Sequence, residues 1–287
     1  MGRRSPWRLL ALVGPLAAWL LIFEVIPLVL VLAVSFMRRG VQGPIEVTFT
    51  LENYARFADP LYVRILADSL WIALVTTAIC LLVGYPFAYY ACQQPPERRA
   101  RLLGLVILPF WTNMLIRTYA WIVLLRSNGL VNNVLRGAGV IQQPLELLYT
   151  REAAVLGLVY ALLPFMILPL YASIEKLDWR LVKAAQDLGA SPARAFWRVT
   201  LPLTMPGVVA GSVLVFVPSL ALFYISDLMG GARAVLIGNL VQRQFTQARD
   251  WPFGAAASLI LTVVSLRLLF VSVRYLSPHQ REEGPRA

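Results

Sequence analysis

Charge is scarce in this sequence, and catalytic side chains are scarcer. Of 287 residues only 14% are charged, and the single histidine, His279, falls in a polar tail. One histidine so placed supports neither a histidine-based metal site nor a histidine-assisted nucleophile. The two cysteines, Cys80 and Cys92, lie in or at the end of one apolar run. They are too far apart along a helix to join, and read as small buried hydrophobes. The few acids are scattered, which leaves a membrane enzyme without facing carboxylates. A channel would need a repeated pore-lining motif or an acidic ring, and neither is present. No GxxxxGK[ST] loop occurs, so this chain has no P-loop with which to hydrolyse ATP, and no cofactor is expected on it.

What the sequence has is apolar length. Hydrophobic residues make up 59% of it, more than a soluble protein can hide, so the solvent is largely lipid. A formal charge of +11 would suggest nucleic acid as the partner of a soluble protein. Here the arginines flank apolar runs, as the positive-inside bias and attraction to anionic lipid require. No basic helix with interleaved aromatics stands free of those runs, so no nucleic-acid partner is expected.

The pattern predicts an all-α membrane protein with six transmembrane helices and both termini in the cytoplasm. The spans are expected at about 9–36, 68–92, 102–125, 152–174, 202–224 and 251–275. Residues 1–64 hold the first span and an outside loop, 65–275 a transmembrane core, and 276–287 a polar cytoplasmic tail. The first run is roughly twice the 7–15 residues of a signal-peptide core and lacks a small-residue cleavage site. Its only charge, Glu24, is either functional or an interfacial or packing group. Tyr85, Tyr89 and Tyr90 read as an interfacial belt at the end of span two. Arg98, Arg99 and Arg101 in QQPPERRAR place that loop inside. Arg117 in span three should face protein or a wet cavity, or lie near the outer end. Gly207 and Gly211, a GxxxG extended by Ser212, let another helix approach span five. Asp250 as N-cap, Trp251 at the interface and Pro252 in the first turn start span six.

The longest ordered polar interruption runs from Asp178 to Gly211. Asp178 is a plausible N-cap, with Leu181, Ala184, Ala185 and Leu188 on one helical face and Arg180, Lys183 and Asp187 on the other. Gly189 supplies a left-handed stop, and Ser191 with Pro192 restarts a second short helix. Coupling helices are thus expected at about 178–200.

The spacing of Ala184, Ala185, Gly189, Val199, Leu201 and Pro202 resembles the loop signature of binding-protein-dependent (type I) ABC importer permeases. In that family Glu-Ala-Ala, three residues, Gly, nine residues and Ile-x-Leu-Pro form the helix that docks on the ATPase. Lys183 stands where the family usually has Glu. Further blocks are similar to the spermidine/putrescine branch: DPLYVRIL and SLWIAL at span two, LPFWTN and LIR in span three, and GLVYALLPFMILPLYASIEKLD at span four. LFYISDLMGGA after span five and RDWPFGAA at span six extend the likeness, parts of which are shared with opine and other organic-solute permeases.

The resemblance implies a polyamine importer in the bacterial inner membrane. It would be assembled with a second homologous permease, an ATPase dimer that binds ATP and Mg, and an extracytoplasmic polyamine-binding protein. Other solutes, such as opines, ferric iron or sulfonates, suit the same architecture. It also implies that Lys183, Ala184, Ala185, Asp187, Leu188, Gly189, Leu201 and Pro202 serve ATPase coupling. Polyammonium cargo needs carboxylates, carbonyls and aromatic faces. Asp227, Tyr224, Phe223, Trp111, Asn113 and Tyr160 are the side chains expected to line its path, with Asp227 at the outer end of span five.

Overall fold

The computed structural model describes residues 14–40, 43 and 45–276. The basic start, the first residues of span one, and the polar tail with His279 lie outside them. The described chain is helical, apart from an isolated bridge between Arg38 and Glu46. In chain order the helices are α1 (Gly14–Ser35), α2 (Glu52–Phe57), α3 (Pro60–Cys92), α4 (Pro96–Ile107), α5 (Met114–Leu125) and α6 (Leu130–Gly137). There follow α7 (Arg151–Glu175), α8 (Trp179–Asp187), α9 (Pro192–Ala221), α10 (Ile237–Thr246) and α11 (Trp251–Leu276). Five helices, α1, α3, α7, α9 and α11, are long and apolar enough to cross a membrane, and a bent pair around residue 112 makes a sixth span.

The bent pair, Pro96–Trp111 with Met114–Gly137, extends beyond the third span expected at about 102–125. Helix already begins at Pro96, so the arginine-rich stretch is its first turns. Near Pro109 the chain tightens into a 3-10 turn, Leu108–Trp111, and the two halves meet at 94°. Proline there has no N–H for the helical ladder, and Asn113 starts a new helix by accepting a hydrogen bond from the Leu115 N–H at 2.8 Å.

Span five departs as well. It starts at Pro192 rather than Pro202, so the second short helix is the first turns of the span itself, and it ends at Ala221. A π turn at Phe196–Thr200 immediately precedes Pro202. The wider turn tolerates the hydrogen bond that proline cannot donate. The same device occurs in α1, where a π turn at Leu21–Val25 precedes Pro27.

The chain divides into two compact units. In the first, residues 1–63 and 240–264, the centre of the polar contacts is Asp250, 1% exposed. Its carboxylate accepts from Arg56 at 2.7 Å, lies 4.0 Å from Arg39, and caps α11 through the Phe253 N–H at 3.3 Å. The Arg56 guanidinium lies 4.2 Å from the centre of the Phe253 ring. Partial burial opposes charge on Arg56, but hydrogen bonds to Asp250 and Tyr62 outweigh it and raise its pKa.

The second unit, residues 64–239 and 265–287, is built on the pairing of α7 with α9. Small residues permit it. A Cβ on Gly207 would collide with Ser173 and lie 2.8 Å from the Pro169 carbonyl oxygen; one on Gly211 would lie 2.8 Å from the Met166 sulfur. Leu158, Met166, Leu170, Ile174 and Val215 fill the core. Ion pairs tie α7 at both ends: Arg151 to Asp68 at 2.9 Å, and Glu175 to Arg99 at 2.9 Å.

Candidate functional site: a capped helix and an aromatic cluster around Arg117

The candidate residues fall into two groups, both in the second unit. The first is α8. Asp178 caps it by accepting from the Arg180 N–H at 3.0 Å. Its end is a Schellman turn, with the Ala190 N–H on the Ala185 carbonyl at 3.0 Å and the Gly189 N–H on Gln186 at 2.9 Å. Gly189 has φ +85°, where a side chain is strained although space is open. Ser191 caps the next helix through the Arg194 N–H.

The face that α8 packs on its own chain differs from the expected one. Val182 is buried with Leu177 and Ala195, and Trp179, Ala185 and Val199 pack around them. Leu181 and Ala184 are exposed, and Leu188 is 90% exposed. Lys183 and Asp187 are exposed beside them, while Leu201 and Pro202 are half-buried in α9. The helix therefore has two apolar faces, one turned inward and one unpartnered within the chain.

Tyr85 and Tyr89 are not an interfacial belt. Tyr85 is buried, shares a 2.8 Å hydrogen bond with Thr204 and meets Phe196 edge-on at 5.5 Å. Tyr89 meets Trp179 at 5.6 Å and Phe196 at 6.2 Å. Only Tyr90 is exposed. These rings pack α8 and the first turns of α9 against α3, a spanning helix.

The second group surrounds Arg117 of α5. Its guanidinium carbon lies 5.6 Å from the Tyr160 ring centre and 6.0 Å from that of Phe110. Trp121 stands edge-on to Tyr160 at 5.7 Å, and Phe110 to Phe165 at 5.4 Å. The Tyr224 hydroxyl donates to the Met114 sulfur at 2.6 Å and lies within electrostatic reach of Arg117. Such rings present negative faces to cations.

Of the side chains expected along a path, the cluster gathers Tyr160 and Tyr224, with Phe223 edge-on to Tyr224 at 6.1 Å. The Phe223 carbonyl accepts from Asn239 at 2.9 Å. Trp111 is 83% exposed at the bend, and the Asn113 side chain is committed to capping α5. Asp227 does not end span five. Helix α9 stops at Ala221, and Asp227 sits half-buried in a second helical piece, 223–230, packed on α7. Trp121 and Met114 were not among the side chains expected along the path, although they share a face of α5 with Arg117 at helical spacing. Phe110, across the bend from α5, was not among them either.

The profile of the family described as "Binding-protein-dependent transport system inner membrane component" matches residues 10–282. The chain belongs to this family. Its relatives include the spermidine/putrescine transport system permease protein PotB of Salmonella typhimurium, 49% identical over 256 residues and covering 89% of each chain. PotB of Escherichia coli is 48% identical over 89% of this chain and 93% of its own. That of Haemophilus influenzae is 49% identical over 90% of each. Among solved structures, a bacterial ABC transporter involved in import of the acidic polysaccharide alginate matches with TM-score 0.72 over 96% of both chains. At 20% identity that likeness bears on fold alone. The protein is thus an inner-membrane transport permease of the type I ABC importer fold, and its relatives are transport subunits rather than enzymes.

Proposed function

We propose that this permease imports polyamines, spermidine or putrescine, as one subunit of an ATP-driven complex. The observation that carries the reading is identity of about half to PotB proteins over nine-tenths of the chain. In this reading α8 lies in the cytoplasm and its unpartnered face, Leu181, Ala184 and Leu188, docks on a separate ATPase, with Lys183 and Asp187 at the rim. That ATPase holds the ATP and Mg. Gly189 and Ala185 shape the docking turn, while Leu201 and Pro202 pass its motion into α9. A second homologous permease and an extracytoplasmic binding protein complete the assembly, and both termini of this chain are cytoplasmic. The cargo passes the cluster of Tyr160, Tyr224 and Phe223, with Asp227 offsetting its charge and with Trp111 and Asn113 at the bend.

Reconstitution tests this. Liposomes holding the permease pair and its ATPase, supplied with the binding protein and internal ATP, should accumulate labelled spermidine or putrescine. Accumulation of another solute, with no polyamine taken up, would sink the reading.

A further inference from the structure

A path for organic cations has an arginine set among its aromatic side chains, and the geometry of that arginine says what it does. Arg117 lies between the faces of Tyr160 and Phe110 at 5.6 and 6.0 Å, where a substrate ammonium would gain most from the rings. Its Nε is buried and, among the described residues, has no hydrogen-bond partner. A buried donor left unmet raises the energy of this arrangement, so the guanidinium is held by the rings rather than locked by a hydrogen bond at Nε. Phe110 and Arg117 also stand on opposite sides of the 94° break, so their contact joins its two halves.

We propose that Arg117 is a tethered stand-in for the substrate: in the resting permease its guanidinium fills the aromatic site that a travelling cation must occupy, and so keeps the path shut. The proposal rests on the reading that polyamines cross here. Two cations cannot share the site, because like charges a few ångströms apart repel strongly where water is scarce. Arrival of an ammonium therefore requires Arg117 to leave, and departure of the cargo lets it return. A leak is prevented without a dedicated lid, and a neutral solute lacks the charge to displace the plug.

The test uses the assembled complex in liposomes loaded with labelled spermidine, without binding protein or ATP. Wild-type vesicles should retain the label. Arg117→Ala vesicles should lose it about tenfold faster or more, the scale expected when one cation–π contact no longer closes the site. Adding ethylguanidinium, a free cation that refits the vacated rings, should slow the Arg117→Ala leak, a rescue that a purely structural role would not give. Tyr160→Leu removes a ring but keeps the charge, and should leak in the same sense if Arg117→Ala fails to assemble. Tight vesicles with either assembled variant, or a leak indifferent to ethylguanidinium, would overturn the proposal. Binding-protein-dependent uptake by the wild type in parallel vesicles separates the two readings. No uptake there removes the polyamine assignment, whereas uptake with tight variants removes only the plug.

Discussion

Leu188 projects from the end of α8 with 90% of its surface exposed, on a helix whose opposite face holds Val182 against Leu177 and Ala195. Nothing in the chain depends on its packing. Leu188→Asp should therefore leave the thermal midpoint of the purified permease unchanged, while abolishing co-purification of the ATPase; retained ATPase at wild-type stoichiometry would refute the docking role. At this scale the sequence is most legible where a single side chain decides the geometry. Asp178, Ser191 and Gly189 reveal a start, a restart and a stop because each acts on backbone within a turn of itself. The inward face of α8 was not legible. Val182 lies between Leu181 and Ala184, so apolar residues occur on both sides of the helix, and periodicity does not say which side belongs to a partner. Tyr85 was hidden for a related reason: its hydroxyl partner, Thr204, is 119 residues away.

At the scale of elements, the seam between α7 and α9 is set by missing side chains. Gly207 faces Ser173 and the Pro169 carbonyl, with no room for a Cβ. Gly207→Leu should destabilise the permease by about 1–3 kcal/mol, the usual cost of overpacking, read as a lowered unfolding midpoint in detergent. Gly137→Ala is the control, because a Cβ there meets nothing within 4 Å, and its midpoint should match wild type. A Gly207→Leu midpoint equal to that of the control would dissociate the seam from stability. The GxxxG spacing was legible, but its partner helix was not, since nothing in a helix names what it packs against. Span boundaries failed where proline was read as an end. Pro202 sits inside α9 because the π turn before it accommodates its missing donor, whereas Pro109 does mark a break because Asn113 is placed to begin a new helix. The two prolines differ in their neighbours, not in themselves.

At the scale of the whole molecule, sidedness is the property on which energy coupling depends. Cys80 and Cys92 are both buried, which gives a low background for thiol labelling. Leu188→Cys and Val140→Cys place new thiols at exposed positions in two different loops. In oriented vesicles an impermeant maleimide should reach Leu188→Cys only from the side that carries ATP, and Val140→Cys only from the other. Labelling of both from one side would contradict the six-span topology. One property of α1 acts at this scale too: no residue of its 18-residue apolar window is buried within the described chain, and Ser35 at its end alone is. At about 1.5 Å per residue its 22 described residues run about 33 Å, close to the ~30 Å of a bilayer's hydrocarbon. Packing holds its Ser35 end, through Asn53 and Tyr54, so lipid thickness sets the lie of the rest. In thinner bilayers this segment is the one free to lean over, tuning its tilt to acyl-chain length while the interlocked spans hold their pitch.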